Sequence, residues 1–142
     1  MNPQRLRWHR FSLWWVGLLA VLLVLPGLAL HRVSQSIDPQ LLTALAVTAS
    51  VVAFVIYRHD KKRAIEGGWR IPESTLHFIE VLGGWPGALL AQRVFRHKSS
   101  KVSYQCAFWF VVATHQFAAF DFLRDWEYTR SAQRFLISLR SP

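Results

Sequence analysis

The chain is expected to fold as an all-α integral membrane protein of four hydrophobic helical segments, followed by a C-terminal amphipathic helix. Three observations carry that expectation. Hydrophobic residues make up 52% of the 142 residues and charged residues only 18%, little charge for an aqueous surface. The apolar residues gather in long blocks. The 17 Lys and Arg, against eight Asp and Glu, sit mostly in the short joints between those blocks, where an anionic membrane surface holds them. A nucleic-acid binder spreads its cations over one face of a folded domain, so no nucleic-acid partner is expected. Length suits one domain, 1–142. Cys106 is the single cysteine, so no intrachain disulfide can form.

The first segment, Phe11–Leu30, follows Arg5, Arg7 and Arg10 and has Ser12 as its only polar side chain. At about 1.5 Å per residue it covers roughly the 30 Å hydrocarbon layer. Trp8, Trp14 and Trp15 suit the interfacial aromatic belt, and Pro26 and Gly27 lie where a kink is tolerated. A cleaved signal peptide would have a shorter apolar region and a small-residue cleavage site, whereas His31 and Arg32 follow here. Asp38 and Pro39 form an N-cap and first helical residue for the second segment, Leu41–Tyr57. Its Ala46, Ala49, Ser50 and Ala53 permit close helix approach. These two segments make an N-terminal two-span part, 11–57.

Arg58–Glu73 is hydrophilic; Gly67-Gly68 ends any helix there, and Pro72 with Glu73 opens the next. The third segment, Ser74–Phe95, contains VLGGWPGALLA at Val81–Ala91. Pro86 frees the Leu82 carbonyl, and Gly83, Gly84 and Gly87 add backbone freedom, so a break or kink is expected between Leu82 and Gly87. Two courses are open. As one helix the segment is about 33 Å long, enough to cross, with Gly83, Gly87 and Ala91 as a small-residue packing ridge. Its uninterrupted apolar part is short for a span, which suits dipping in and returning. Charge does not decide between them. Either way twelve Lys and Arg lie inside against five outside: three from the start, five from the second loop, and four from the third loop or the tail. Both place the N-terminus in the cytoplasm. The fourth segment, Tyr104–Leu123, is interrupted by Thr114, His115, Gln116 and Asp121. In the tail, 124–142, Trp126, Ala132, Phe135, Leu136 and Leu139 continue a helical face begun by Leu123, with Arg130, Arg134 and Arg140 on others. That pattern describes an amphipathic interfacial helix or a frayed end.

The run Tyr57–Trp109 resembles the small bacterial membrane proteins grouped as domain-of-unknown-function family 1294. The likeness rests on Tyr57 followed by Asp60-Lys61 and Ala64, then Arg70-Ile71-Pro72-Glu73 with Leu76-His77. It continues through Gly83-Gly84-Trp85-Pro86-Gly87 to Arg96-His97-Lys98, Lys101 and Phe108-Trp109. The resemblance implies a multi-helix protein of the bacterial inner membrane with no established reaction. Some members carry a cold-shock domain ahead of the membrane part; with ten residues before the first segment, that module is expected to be absent here. Glu80 stands where members tend to be apolar.

Asp60, Lys61, Arg70, Arg96, His97, Lys98 and Lys101 form the candidate site. If the third segment returns, both basic motifs share the cytoplasmic side and can clamp an anion, such as a phospholipid headgroup or a phosphorylated metabolite. The plainer role is anchoring helix ends by snorkelling. Glu73, His77 and Glu80 fall on one helix face and, with His115, have metal-ligand chemistry. Glu73 also serves as a first-turn acid and Glu80 can pair with an arginine, so no metal and no cofactor is expected. His115 is expected to be neutral and bonded to a neighbouring helix, with a proton relay as the alternative, and Asp121 to pair near Arg124. No serine elbow, phosphate-binding loop or Cys-x-x-Cys pair is present, and Cys106 reads as a packing residue. The expected function is a non-enzymatic scaffold in the lipid bilayer that binds anionic phospholipid, a protein partner or a second copy. The alternative is a small membrane enzyme or transporter using His77, His115 and the glycine-rich break.

Overall fold

The computed structural model describes residues 13–35, 38–69 and 71–140. Arg5, Arg7, Trp8 and Arg10 lie outside the described residues. The order is α1 (Leu13–Val33), α2 (Pro39–Glu66), α3 (Glu73–Ile79), a π-helical stretch (Glu80–Gly84), α4 (Trp85–Phe95), α5 (Val102–Leu123) and α6 (Glu127–Arg140), with no strand among the described residues. Three helices, α1, α2 and α5, are long and apolar enough to cross a membrane.

Local chemistry sets the ends of α2. The Asp38 carboxylate accepts the Gln40 N–H at 2.8 Å, and Pro39 supplies a first-turn residue that needs no donor. Gly67 closes the helix at φ 71°, a left-handed conformation that costs glycine little. With 28 residues α2 is about 42 Å long and outruns the hydrocarbon layer. It continues past Tyr57 because nothing in 58–66 breaks a helix, and Lys62 meets Glu66 one turn on at 3.8 Å. The charged last turns of α2 therefore stand clear of its apolar part.

The third hydrophobic segment is built differently from the other three. Glu73–Gly84 is about 18 Å long and α4 about 16 Å, so neither arm alone spans 30 Å. Helical geometry is interrupted at Gly83, where φ is 97°. The two ends of the segment meet: the Glu73 carboxylate accepts from Lys98 at 2.7 Å and from Lys101 at 2.8 Å. The segment is a hairpin with a tied base.

The hairpin packs on α2 through glycine. A Cβ at Gly87 would overlap the Ser50 carbonyl, and one at Gly84 would lie 2.9 Å from Ala53 Cβ and 2.8 Å from the Ile79 carbonyl oxygen. Ala49, Ser50 and Ala53 thus meet Gly84 and Gly87, whereas Gly83, expected in the ridge, has open space and supplies the turn instead. Tyr57, Leu76, Trp85, Leu89, Tyr104 and Phe108 are the large residues of the core. α1 packs chiefly on α5, where Gln116 Nε2 donates to the Leu22 carbonyl at 2.8 Å.

At the far end, Arg32 satisfies the terminal carbonyls of α5, donating to Phe122 (3.2 Å) and Leu123 (2.8 Å) and to Asp125 (2.5 Å). Asp121 was expected to pair near Arg124. It instead caps α6, accepting from the Tyr128 N–H (2.9 Å), the Thr129 N–H (3.1 Å) and the Thr129 hydroxyl (2.5 Å), while Arg124 turns to Glu127. The tail is helical through Arg140 and leaves Phe135, Leu136, Ile137 and Leu139 exposed.

Candidate functional site

Asp60 projects from α2 into the hairpin base and is fully buried. One carboxylate oxygen accepts the Ile71 N–H at 2.9 Å; the other accepts from His97 Nε2 at 2.6 Å. One residue of α2 therefore holds both chain segments flanking the hairpin. Burial pushes the His97 imidazole below its ordinary range against the opposing pull of Asp60. Around it the backbone turns left-handed at Arg96 (φ 45°) and Lys98 (φ 62°). Conformations this uncommon for side-chain-bearing residues persist where flanking contacts hold them; here those are His97 on Asp60 and Lys98 on Glu73. Hydrogen bonds from Lys101 and Lys98 bring the Glu73 carboxyl down to about 2.

These contacts sort the expected site residues into two groups. Asp60, His97, Lys98 and Lys101 come together but are spent on one another and on Glu73. Arg96 stays exposed, Lys61 is half-buried, and Arg58 on α2 is an exposed neighbour that the sequence pattern did not single out. Arg70 lies outside the described residues. Of the break residues, Gly83 carries the positive φ, Gly84 and Gly87 carry the contact with α2, and Pro86 sits in the first turn of α4, where its missing donor costs nothing.

Beneath the base lies a polar cluster centred on Glu80, fully buried at the start of the π-helical stretch. One oxygen accepts from the Tyr57 hydroxyl and from the Tyr104 hydroxyl at 2.9 Å; the other meets His77 Nδ1 at 2.7 Å. The two tyrosine hydroxyls also touch. Gln92 reaches Tyr57 at 3.4 Å, and Gln105 ties Gln92 (2.6 Å) to the Lys98 carbonyl (2.9 Å). The sequence offers Glu80 an arginine as partner; among the described residues its partners are instead Tyr57, Tyr104 and His77. Spacing along the third segment put His77 on the face of Glu80, but the Tyr57 and Tyr104 partners come from α2 and α5 and could not be read from it. The one available signal was the presence of Tyr57, Gln92, Tyr104 and Gln105 at the edges of apolar runs.

The four metal-type residues do not converge. Glu73 faces lysines, His77 and Glu80 face each other, and His115 lies on α5 with Nδ1 2.9 Å from the Val111 carbonyl of its own helix. The neighbouring-helix partner expected for His115 is thus corrected to an own-helix one; Gln116 makes the interhelical bond. No group of three His, Cys, Asp or Glu is placed to hold a metal among the described residues.

Three apolar helices of membrane-crossing length around a tied, glycine-turned hairpin define the class: a helical protein of membrane type. The family model described as "Protein of unknown function (DUF1294)" matches residues 50–104, which hold the second half of α2, the whole hairpin and the start of α5. The uncharacterized protein YsdA of Bacillus subtilis (strain 168) is 31% identical over 65 residues, covering 46% of this chain and 73% of YsdA. The chain belongs to the DUF1294 family. No solved structure matches.

Proposed function

We propose that this protein is a multi-pass scaffold of the bacterial inner membrane, with its N-terminus in the cytoplasm, that binds anionic phospholipid headgroups at the base of the hairpin. The hairpin enters the bilayer from the cytoplasmic side and returns to it. The observation that carries this is the pair of bonds from Lys98 and Lys101 to Glu73. They support a reading in which the basic stretches on either side of the hairpin share one surface. Those stretches, 58–73 and 96–101, contain eight Lys and Arg against three carboxylates. Asp60 and Glu73 are occupied internally, so the excess positive charge, with Arg58 and Arg96 exposed, is free to meet an anionic surface. The scaffold reading is supported by a polar cluster whose described members, Glu80, Tyr57, Tyr104 and His77, bond to one another.

The test is lipid selectivity of the purified protein in nanodiscs of mixed phosphatidylglycerol and phosphatidylcholine. Enrichment of phosphatidylglycerol around the protein, lost in Arg58→Gln/Arg96→Gln, is the expected result. Equal retention of both lipids by the unaltered protein overturns the proposal. Sidedness is checked in a Cys106→Ala background: Ser100→Cys should react with an impermeant maleimide only from the cytoplasmic face.

A further inference from the structure

α1 leans chiefly on α5 and α2 on the hairpin, and the contact between α1 and α2 is slight. Between them is an almost wholly apolar groove of about 580 Å³. Leu23 and Gly27 of α1, Val47 and Phe54 of α2, and Leu90 of α4 line it. It stays open because the facing residues include Gly27 and Ala46, too small to fill it; nothing lies within 4 Å of where a Gly27 Cβ would stand.

The cytoplasmic end of this groove is cationic. Arg58 follows Phe54 by one turn of α2, and Arg93 follows Leu90 by three residues of α4, so each is carried up the same helix face toward the hairpin base. The Arg93 guanidinium, one turn of α4 beyond the groove residue Leu90, lies over the Trp15 ring of α1, 3.5 Å from its centroid. Its Nε–H is buried and has no hydrogen-bond partner, an arrangement that costs free energy until an acceptor arrives. On α2 the groove runs from Ala46 to Phe54, about 12 Å, and Arg58 stands about 6 Å further along the helix. That length takes the upper part of an extended acyl chain whose phosphate sits beside Arg58 and Arg93.

We infer that the groove is an acyl-chain site: one tail of an anionic phospholipid from the cytoplasmic leaflet lies between α1 and α2, with its phosphate at Arg93 and Arg58. This rests on the headgroup binding proposed above and adds a defined seat for one lipid. Charge complementarity at the mouth selects a phospholipid over a second protein helix, which would leave Arg93 without an acceptor.

The experiment uses full-length protein in nanodiscs containing phosphatidylglycerol with a diazirine on one acyl chain, and cross-links are mapped by mass spectrometry. Labelling is expected on Leu23, Gly27 and Val47 in preference to the outward-facing Val21 and Val55. Gly27→Leu and, independently, Ala46→Leu fill the groove. Each should abolish the preference for groove positions by taking the space of the chain. Gly17→Leu also enters open space but lies outside the groove, so it should leave labelling unchanged. Arg93→Gln should reduce labelling to the level given by the phosphatidylcholine analogue. Labelling spread evenly over outward positions, or labelling indifferent to both filling variants, would each overturn the inference. If the phosphatidylglycerol preference survives such a result, only the groove assignment falls. If the preference is absent from the unaltered protein, the headgroup reading falls.

Discussion

Lys98 Nζ lies 2.7 Å from Glu73 Oε1, joining the residue that opens α3 to the loop that leaves α4. The intervening chain must therefore go out and come back, whatever its hydropathy. Lys101 holds the other oxygen of the same carboxylate at 2.8 Å.

Glu73→Gln should loosen the hairpin base. Glu73 is about a third exposed, so solvent screening keeps the loss to about 1 kcal/mol. The pH course carries the sign. The carboxyl is lowered in the fold to about 2, so its contribution is complete above the ordinary value near 4.5 and is lost as pH falls from there toward 2. Thermal unfolding in detergent across that range should show a slope that Glu73→Gln removes; equal slopes would refute the assignment.

The Asp60–His97 pair predicts a second window nearer neutrality. Burial lowers His97 in the fold, while Lys98 and Lys61 disfavour its protonation further and Asp60 opposes them. The unfolded chain therefore takes up the proton first, and stability falls as pH drops below the ordinary value of 6.5. His97→Gln should flatten the difference between pH 7.5 and 5.5. Asp60→Ala strips two buried partners and should cost about 3 kcal/mol, with faster hydrogen exchange at the Ile71 amide as its local signature.

The glycines of the hairpin should separate by mechanism. Gly87→Ala drives a methyl into the Ser50 carbonyl and should cost several kcal/mol, on the order of an overpacked core site. Gly83→Ala meets no neighbour and incurs only the left-handed backbone penalty, about 1 kcal/mol. Unfolding midpoints that ranked Gly83→Ala the worse would show that α2 and α4 do not pack this closely.

For the buried cluster, Glu80→Leu leaves the Tyr57 and Tyr104 hydroxyls without their acceptor and should cost about 3 kcal/mol. Glu80→Gln keeps a carbonyl oxygen in place and should cost much less. Similar losses for the two variants would mean that the charge, rather than the acceptor geometry, holds the cluster together.

The sequence by itself determined the long helices and several of their ends. Apolar runs of membrane length declare themselves locally, and so do the Asp38-Pro39 start and Gly67 stop of α2. It also drew attention to the glycine–proline stretch and to the two basic motifs. Only the tertiary structure decided that the third segment folds back on itself, because charge counts were equal for both courses and the deciding bonds join residues 25 and 28 positions apart. The same holds for the fate of Asp60, His97 and Glu80. A side chain's partner is set by which helices are neighbours, and hydropathy along a single chain does not encode that.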